Sequence, residues 1–174
     1  MLRASDQGPV VDDADALWAA FVEANAWLYV ERGVQWELEA VEIIPAAFTL
    51  AQFDAGPDAA VAPYLDSTLT AILMPGGGPV GGNGDGVGYP GHCIITMGVA
   101  HITVFGALLF HELFHSLGAP HTADLLIGYP FTGRYSLMSG PPKPPLGDYH
   151  LAQGVPSLYL ADITWDMIKG NWGQ

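Results

Sequence analysis

The chain has 174 residues, 50% of them hydrophobic and 13% charged, which suits one folded domain with a sizeable core and excludes a disordered segment. Its formal net charge is −13, with only five Lys and Arg, so nucleic acid and anionic membrane surfaces are poor partners. The acidic balance suits either cationic substrates and calcium, or plain solubility in an extracellular or salt-rich setting.

Residues 1–11 read as a loose arm, and no apolar core long enough for a signal peptide follows Met1–Asp6. Asp12, Asp13 and Asp15 offer N-capping and favourable charge at a helix start. Leu17, Phe21, Ala24 and Leu28 then recur at helical spacing, Trp18 and Val22 widen the stripe, and Gly33 ends the helix. Val34 to Ala40 alternates apolar and polar strictly, which predicts a strand with one buried and one wet face, extended by Val41–Ile44 up to Pro45. Gln35, Glu37 and Glu39 form its solvated side. A short helix over 58–65, interrupted at Pro63, and a second strand over Thr68–Met74, stopped by Pro75, follow.

Gly76 to Gly91 reads as a long glycine-rich loop. It has neither the Walker spacing nor any Lys or Arg, so it is no phosphate cradle. His92–Met97 is the next strand and contains Cys93, the single cysteine, which precludes an internal disulfide and reads as a buried, inert thiol. The apolar run from Met97 to Phe110 is broken by His101 and Thr103 and is too short to insert across a bilayer. It leads into a helix over 102–117 that is apolar on nearly all sides, as a buried helix is.

That helix carries His111, Glu112, His115 and Gly118, with His121 beyond, in the pattern H-E-x-x-H-x-x-G-x-x-H. His111 and His115 stand one turn apart and project from one face, so both imidazoles reach one metal. Glu112 lies beside the metal, where a carboxylate takes a proton from an activated water. Gly118 ends the helix in a left-handed conformation, and the chain turns back to offer His121 as third nitrogen. Three protein ligands leave a fourth position open for water. No Glu follows His115, which removes the class of such sites that uses a downstream Glu. Asp124, Asp148, His150, Asp162 and Asp166 stay open as other third ligands, though none is placed as naturally as His121. His92 and His101 are not needed in the set.

The full pattern resembles the long zinc signature of the metzincin metallopeptidases. Downstream, Tyr135-Ser136-Leu137-Met138-Ser139-Gly140 is similar to their Met-turn. The resemblance is dense over residues 104–140. It implies Zn²⁺ on His111, His115 and His121, Glu112 as general base, and Met138 as a soft packing base beneath the metal. It also implies an α/β (α+β) catalytic domain spanning 1–174. An upper part to about residue 118 would hold a twisted mixed sheet, a packing helix and the central zinc helix. A small irregular lower part from about 119 would end in a terminal helix, placed over 157–169 by Leu160, Ile163, Met167, Ile168 and Gly170. The implied activity is that of a zinc endopeptidase (secreted, monomeric) acting on a peptide or protein bound as an added antiparallel strand at a sheet edge next to the zinc helix. Some members carry structural calcium in loops like 76–91, where Asn83 and Asp85 supply hard oxygen ligands; the other reading of that loop is a flexible rim of the active site. Several members place a Tyr two residues after the Met, but Gly140 stands there, leaving Tyr135 or Tyr149 to approach the oxyanion. Pro141–Pro145 either lines a substrate pocket or is a stiff spacer. The run Asp162–Trp172 is similar to immune-inhibitor-like and gametolysin-like members, and His121-Thr122 to pappalysins, so no subfamily follows. Two other classes remain open, a zinc-binding module without proteolysis and a zinc hydrolase or amidase of small substrates.

Overall fold

The computed structural model describes residues 1–7, 14–66, 69–78, 80, 86–96, 102–121, 135–138 and 158–171. Helix α1 covers Ala14–Arg32, and its Leu17, Phe21, Ala24 and Leu28 are buried, as their spacing predicted; the stripe is widened by buried Ala20 and Trp27, however, and not by Trp18 and Val22, which face solvent. Gly33 adopts φ 71° and returns its N–H to the Tyr29 carbonyl, closing the helix as expected. Buried helix α4, Ile102–Ser116, crosses α1. The crossing is close because small residues meet there: a methyl group on Gly106 would lie 2.8 Å from the Ala20 carbonyl oxygen and 3.3 Å from the Ala24 Cβ.

The segment after α1 departs from expectation. Residues 34–43 form no ladder, and only β2, Ile44–Pro45, is a strand, paired in parallel with β1, Leu2–Arg3. The alternation is nevertheless real. Val34, Trp36 and Leu38 are half-buried against the main core, while Gln35, Glu37 and Glu39 are exposed. What the pattern does not contain is Asn25. Its side-chain amide donates to the Trp36 carbonyl and its oxygen accepts from the Trp36 N–H, both at 2.8 Å. A helix side chain has thus taken the backbone groups that a neighbouring strand would use. A cavity of about 750 Å³ separates this segment from the next strand, lined by Trp36, Leu38, Val41, Leu69, Ala71 and Leu73 among others. Residues 1–7 are also no loose arm, since Leu2 and Ala4 are buried and β1 is paired.

Helix α2, Leu50–Ala55, starts with a reciprocal cap between Thr49 and Gln52. Helix α3, Pro57–Val61, and a 3₁₀ turn at Ala62–Tyr64 complete the short helical stretch that Pro63 was expected to interrupt. Three strands form the central sheet in the order β3-β5-β4: β3 is Thr70–Leu73, β4 is Gly86–Tyr89 and β5 is His92–Ile95. β3 runs parallel to β5 and β4 antiparallel to it, so the sheet is mixed. The loop predicted over 76–91 is therefore a strand at its end.

The two faces of the sheet bury different cores. Leu73, Cys93 and Ile95 point into the main core with α1 and α4, whereas Ile72, Met74 and Ile94 point into a second core with Phe48, Phe53 and Val61. The chain is thus mixed α+β, with helices against both faces of a small sheet. Beyond α4, β6 (Tyr135–Ser136) pairs in parallel with β7 (Leu158–Tyr159), and helix α5 runs Asp162–Lys169. The terminal helix therefore begins later than the apolar spacing suggested, with a strand occupying its expected first turn. Arg32 ties α1 to this end of the chain, donating to the Leu160 carbonyl and pairing with Asp162 at 2.8 Å. Leu137, Met138, Leu160 and Ile168 share the main core with α1 and α4.

Candidate metal centre

Helix α4 presents His111 and His115 one turn apart, as their spacing requires. It stops where the sequence places its glycine. Gly118 takes φ 93°, and the N–H groups of Gly118 and Ala119 return to the carbonyls of His115 and Phe114. Asn171 covers the last turn by donating to the Leu117 carbonyl at 2.7 Å. The reversal has two consequences. It turns the Ala119 carbonyl toward His115, whose Nδ1 meets it at 2.6 Å, and it brings His121 back over the helix. His111 Nδ1 meets the Leu137 carbonyl at 2.6 Å, so the chain from β6 holds the other imidazole.

A carbonyl only accepts, so each of these Nδ1 atoms carries the proton and donates. The Nε2 atoms of His111 and His115 are then bare lone pairs. Yet they stand 3.1 Å apart, and His121 Nε2 lies 3.1 Å from one and 3.3 Å from the other. No proton bridges the His111–His115 pair, so this contact is a convergence of lone pairs rather than a hydrogen bond. A shared cation relieves it. Nitrogens about 2.0–2.1 Å from a tetrahedral ion lie about 3.3–3.4 Å from each other, close to the observed spacing. The three histidines are therefore near enough and correctly turned to hold one metal ion. Burial lowers the pKa of His115, the Ala119 hydrogen bond opposes this, and nearby His121 lowers it further, so the ring is neutral and ligand-competent at neutral pH.

Glu112 is 5% exposed, on the helix next to this cluster. Ser116 shares its one Oγ–H between the Glu112 carbonyl, at 3.0 Å, and the His92 carbonyl on β5, at 2.6 Å, which ties helix to sheet. Cys93 is fully buried in β5; burial, with Glu112 nearby, pushes its thiol well above the ordinary value, so it stays protonated and inert as expected. His92 stacks on Tyr89 with ring centroids 5.0 Å apart and is not in the cluster. Asp162 and Asp166, possible third ligands from sequence, are occupied with Arg32 and Lys169. Met138 is fully buried in the main core beside Leu137, whose carbonyl grips His111.

Asn83, Asp85, His101, Asp124, Gly140, Pro141–Pro145, Asp148, Tyr149 and His150 lie outside the described residues, as does the side chain of Tyr135. Two features had no signal in the motif: the carbonyls of Ala119 and Leu137, and the glycines Gly86 and Gly88 of β4, which lie directly against α4. The alternation Gly86-Val87-Gly88-Tyr89 could have revealed the second, since small residues at every other position mark one strand face under close approach. No known protein-family model, no curated protein and no solved structure matches the chain.

Proposed function

We propose that this protein is a zinc endopeptidase of the metzincin type. The observation that carries the reading is the convergence of three Nε2 lone pairs within 3.1–3.3 Å, two of them aimed by Nδ1 hydrogen bonds to backbone carbonyls. All-imidazole sites with an open position suit zinc, and the spacing from His111 to His121 is the metzincin pattern. The chemistry that zinc would supply at His111, His115 and His121 is Lewis-acid polarisation of the scissile carbonyl and a lowered pKa for the attacking water.

The chain's own residues do the rest. His111, His115 and His121 would hold the ion, and the carbonyls of Leu137 and Ala119 keep two of the rings from turning. Glu112, beside His111 and shielded from solvent, accepts the proton of the attacking water and later delivers it to the leaving amine. Among the described residues β4 is paired on one side only, and its outer edge is where this reading puts an extended peptide, as an added antiparallel strand. An extracellular setting comes with the same resemblance.

The test compares the parent and Glu112→Ala on a broad peptide library, with zinc measured by elemental analysis. The variant is expected to keep near-stoichiometric zinc and to lose cleavage on the order of 10²–10⁴-fold, the usual contribution of a general base. Equal cleavage by both proteins would remove Glu112 from the mechanism, and a parent that neither holds zinc nor cleaves peptides would end the reading.

A further inference from the structure

β4 lies against α4 at the turn that carries Glu112 and His115. Its residues alternate in what they face. Val87 and Tyr89 pack against the second core, while Gly86 and Gly88 face the helix. A methyl group on Gly86 would lie 2.7 Å from Glu112 Cγ, 2.7 Å from its Oε1 and 2.8 Å from its Cδ. A methyl group on Gly88 would meet different atoms: His115 Cβ at 2.3 Å, the Glu112 carbonyl oxygen at 2.5 Å and the Ser116 N at 3.0 Å. Neither glycine has a positive φ, so the backbone at both sites suits an alanine and only the contacts oppose one.

The two glycines therefore answer different needs. At Gly88 the atoms in the way are chiefly helix backbone, which cannot yield unless the helix moves away from the strand. At Gly86 the three nearest all belong to the Glu112 side chain, which can swing aside and leave the helix where it is. None of these three nearest atoms belongs to a histidine.

We propose that Gly86 is a positioning residue for Glu112: the space left by its missing side chain is where the carboxylate sits, and β4 thereby sets the place of the general base relative to the three histidines. The inference deepens the endopeptidase reading and rests on it only for the kinetic effect. The spatial part stands by itself, because it concerns which atoms fill one gap.

The experiment is a double-mutant cycle of Gly86→Ala and Glu112→Ala, read by zinc content, thermal unfolding, and kcat and KM on a peptide that the parent cleaves. Gly86→Ala is expected to keep its zinc and its KM while kcat falls on the order of 10–10²-fold, the scale of an ångström-sized misplacement of a catalytic group. It is expected to melt below the parent. In the Glu112→Ala background, where the carboxylate is gone, the same substitution is expected to change neither the residual rate nor the melting temperature. Should Gly86→Ala alone fail to fold, the double variant is expected to fold. The proposal is overturned by parental kcat in Gly86→Ala, by an equal fractional loss of rate or melting temperature in both backgrounds, or by a double variant as unstable as the single one. If the parent cleaves no peptide, the endopeptidase reading fails while the melting-temperature cycle still decides the role of Gly86.

Discussion

His115 is the residue on which burial, hydrogen bonding and metal chemistry meet. Burial lowers its pKa below the ordinary 6.5, and His121 adds to the effect. The folded state thus prefers the neutral ring. Above pH 6.5 both folded and unfolded chains carry it neutral, and the preference costs nothing. As pH falls through 6.5 the unfolded chain takes up the proton first, so stability declines until the folded ring protonates too. The zinc-free protein is expected to lose melting temperature as pH is lowered from about 7 to about 5.5, and His115→Gln to lose less over the same range. Parallel pH profiles for the two proteins would show that His115 is not the group responsible. Zinc affinity should fall in the same window, because protonated imidazole is no ligand.

At the scale of elements, the site depends on two close approaches to α4, both made possible by glycine. One is β4 with Gly86 and Gly88. The other is α1, which crosses α4 at Gly106. Alanine at Gly106 would gain about 1 kcal/mol of helix propensity but place its methyl 2.8 Å from the Ala20 carbonyl oxygen, a backbone atom that cannot rotate away. Overpacking of this kind costs about 1–3 kcal/mol, and a branched side chain adds bulk while losing the propensity gain. Gly106→Val is therefore expected to destabilise the protein by about 2 kcal/mol or more in urea unfolding, with zinc content lowered only as the protein unfolds. An unchanged midpoint would show that the helices can separate at no cost.

At the scale of the molecule, the candidate metal site joins segments far apart in the chain. The three histidines come from α4 and the turn after Gly118, and the carbonyl of Leu137 attaches His111 to the β6 segment. That segment is bonded to β7 through Leu137 N–H and the Tyr159 carbonyl at 2.8 Å, and α5 follows. An ion bound only by the folded chain stabilises all of this by mass action, about 4 kcal/mol at a free concentration a thousand times Kd. For a chain of this length that raises the melting temperature on the order of 10 °C. Removing zinc with a chelator and restoring it should lower and recover the melting temperature by that amount. No shift would mean that the folded state holds the ion no better than the unfolded chain does.

Much of the candidate site is legible in the amino-acid sequence, because it is local. His111, Glu112, His115, Gly118 and His121 fall within one helical stretch and its terminating turn. Helix geometry sets the ring directions, and a single left-handed glycine sets the reversal. The α1 stripe and the burial of α4 follow from their periodicity in the same way. Pairing is a different matter, because it is decided between segments distant in sequence. The alternation over 34–40 announces a strand correctly in its faces and wrongly in its ladder, since Asn25 on α1 captures the Trp36 backbone first. Glycines in 86–89 read as loop because glycine weakens a strand, yet they are what α4 demands of the strand beside it. The convergence of the three histidines is thus determined by the sequence itself, through the fixed period of a helix and the glycine that ends it. Which backbone carbonyls hold those imidazoles, and what surrounds Glu112, is decided only when the sheet and the later chain pack against that helix.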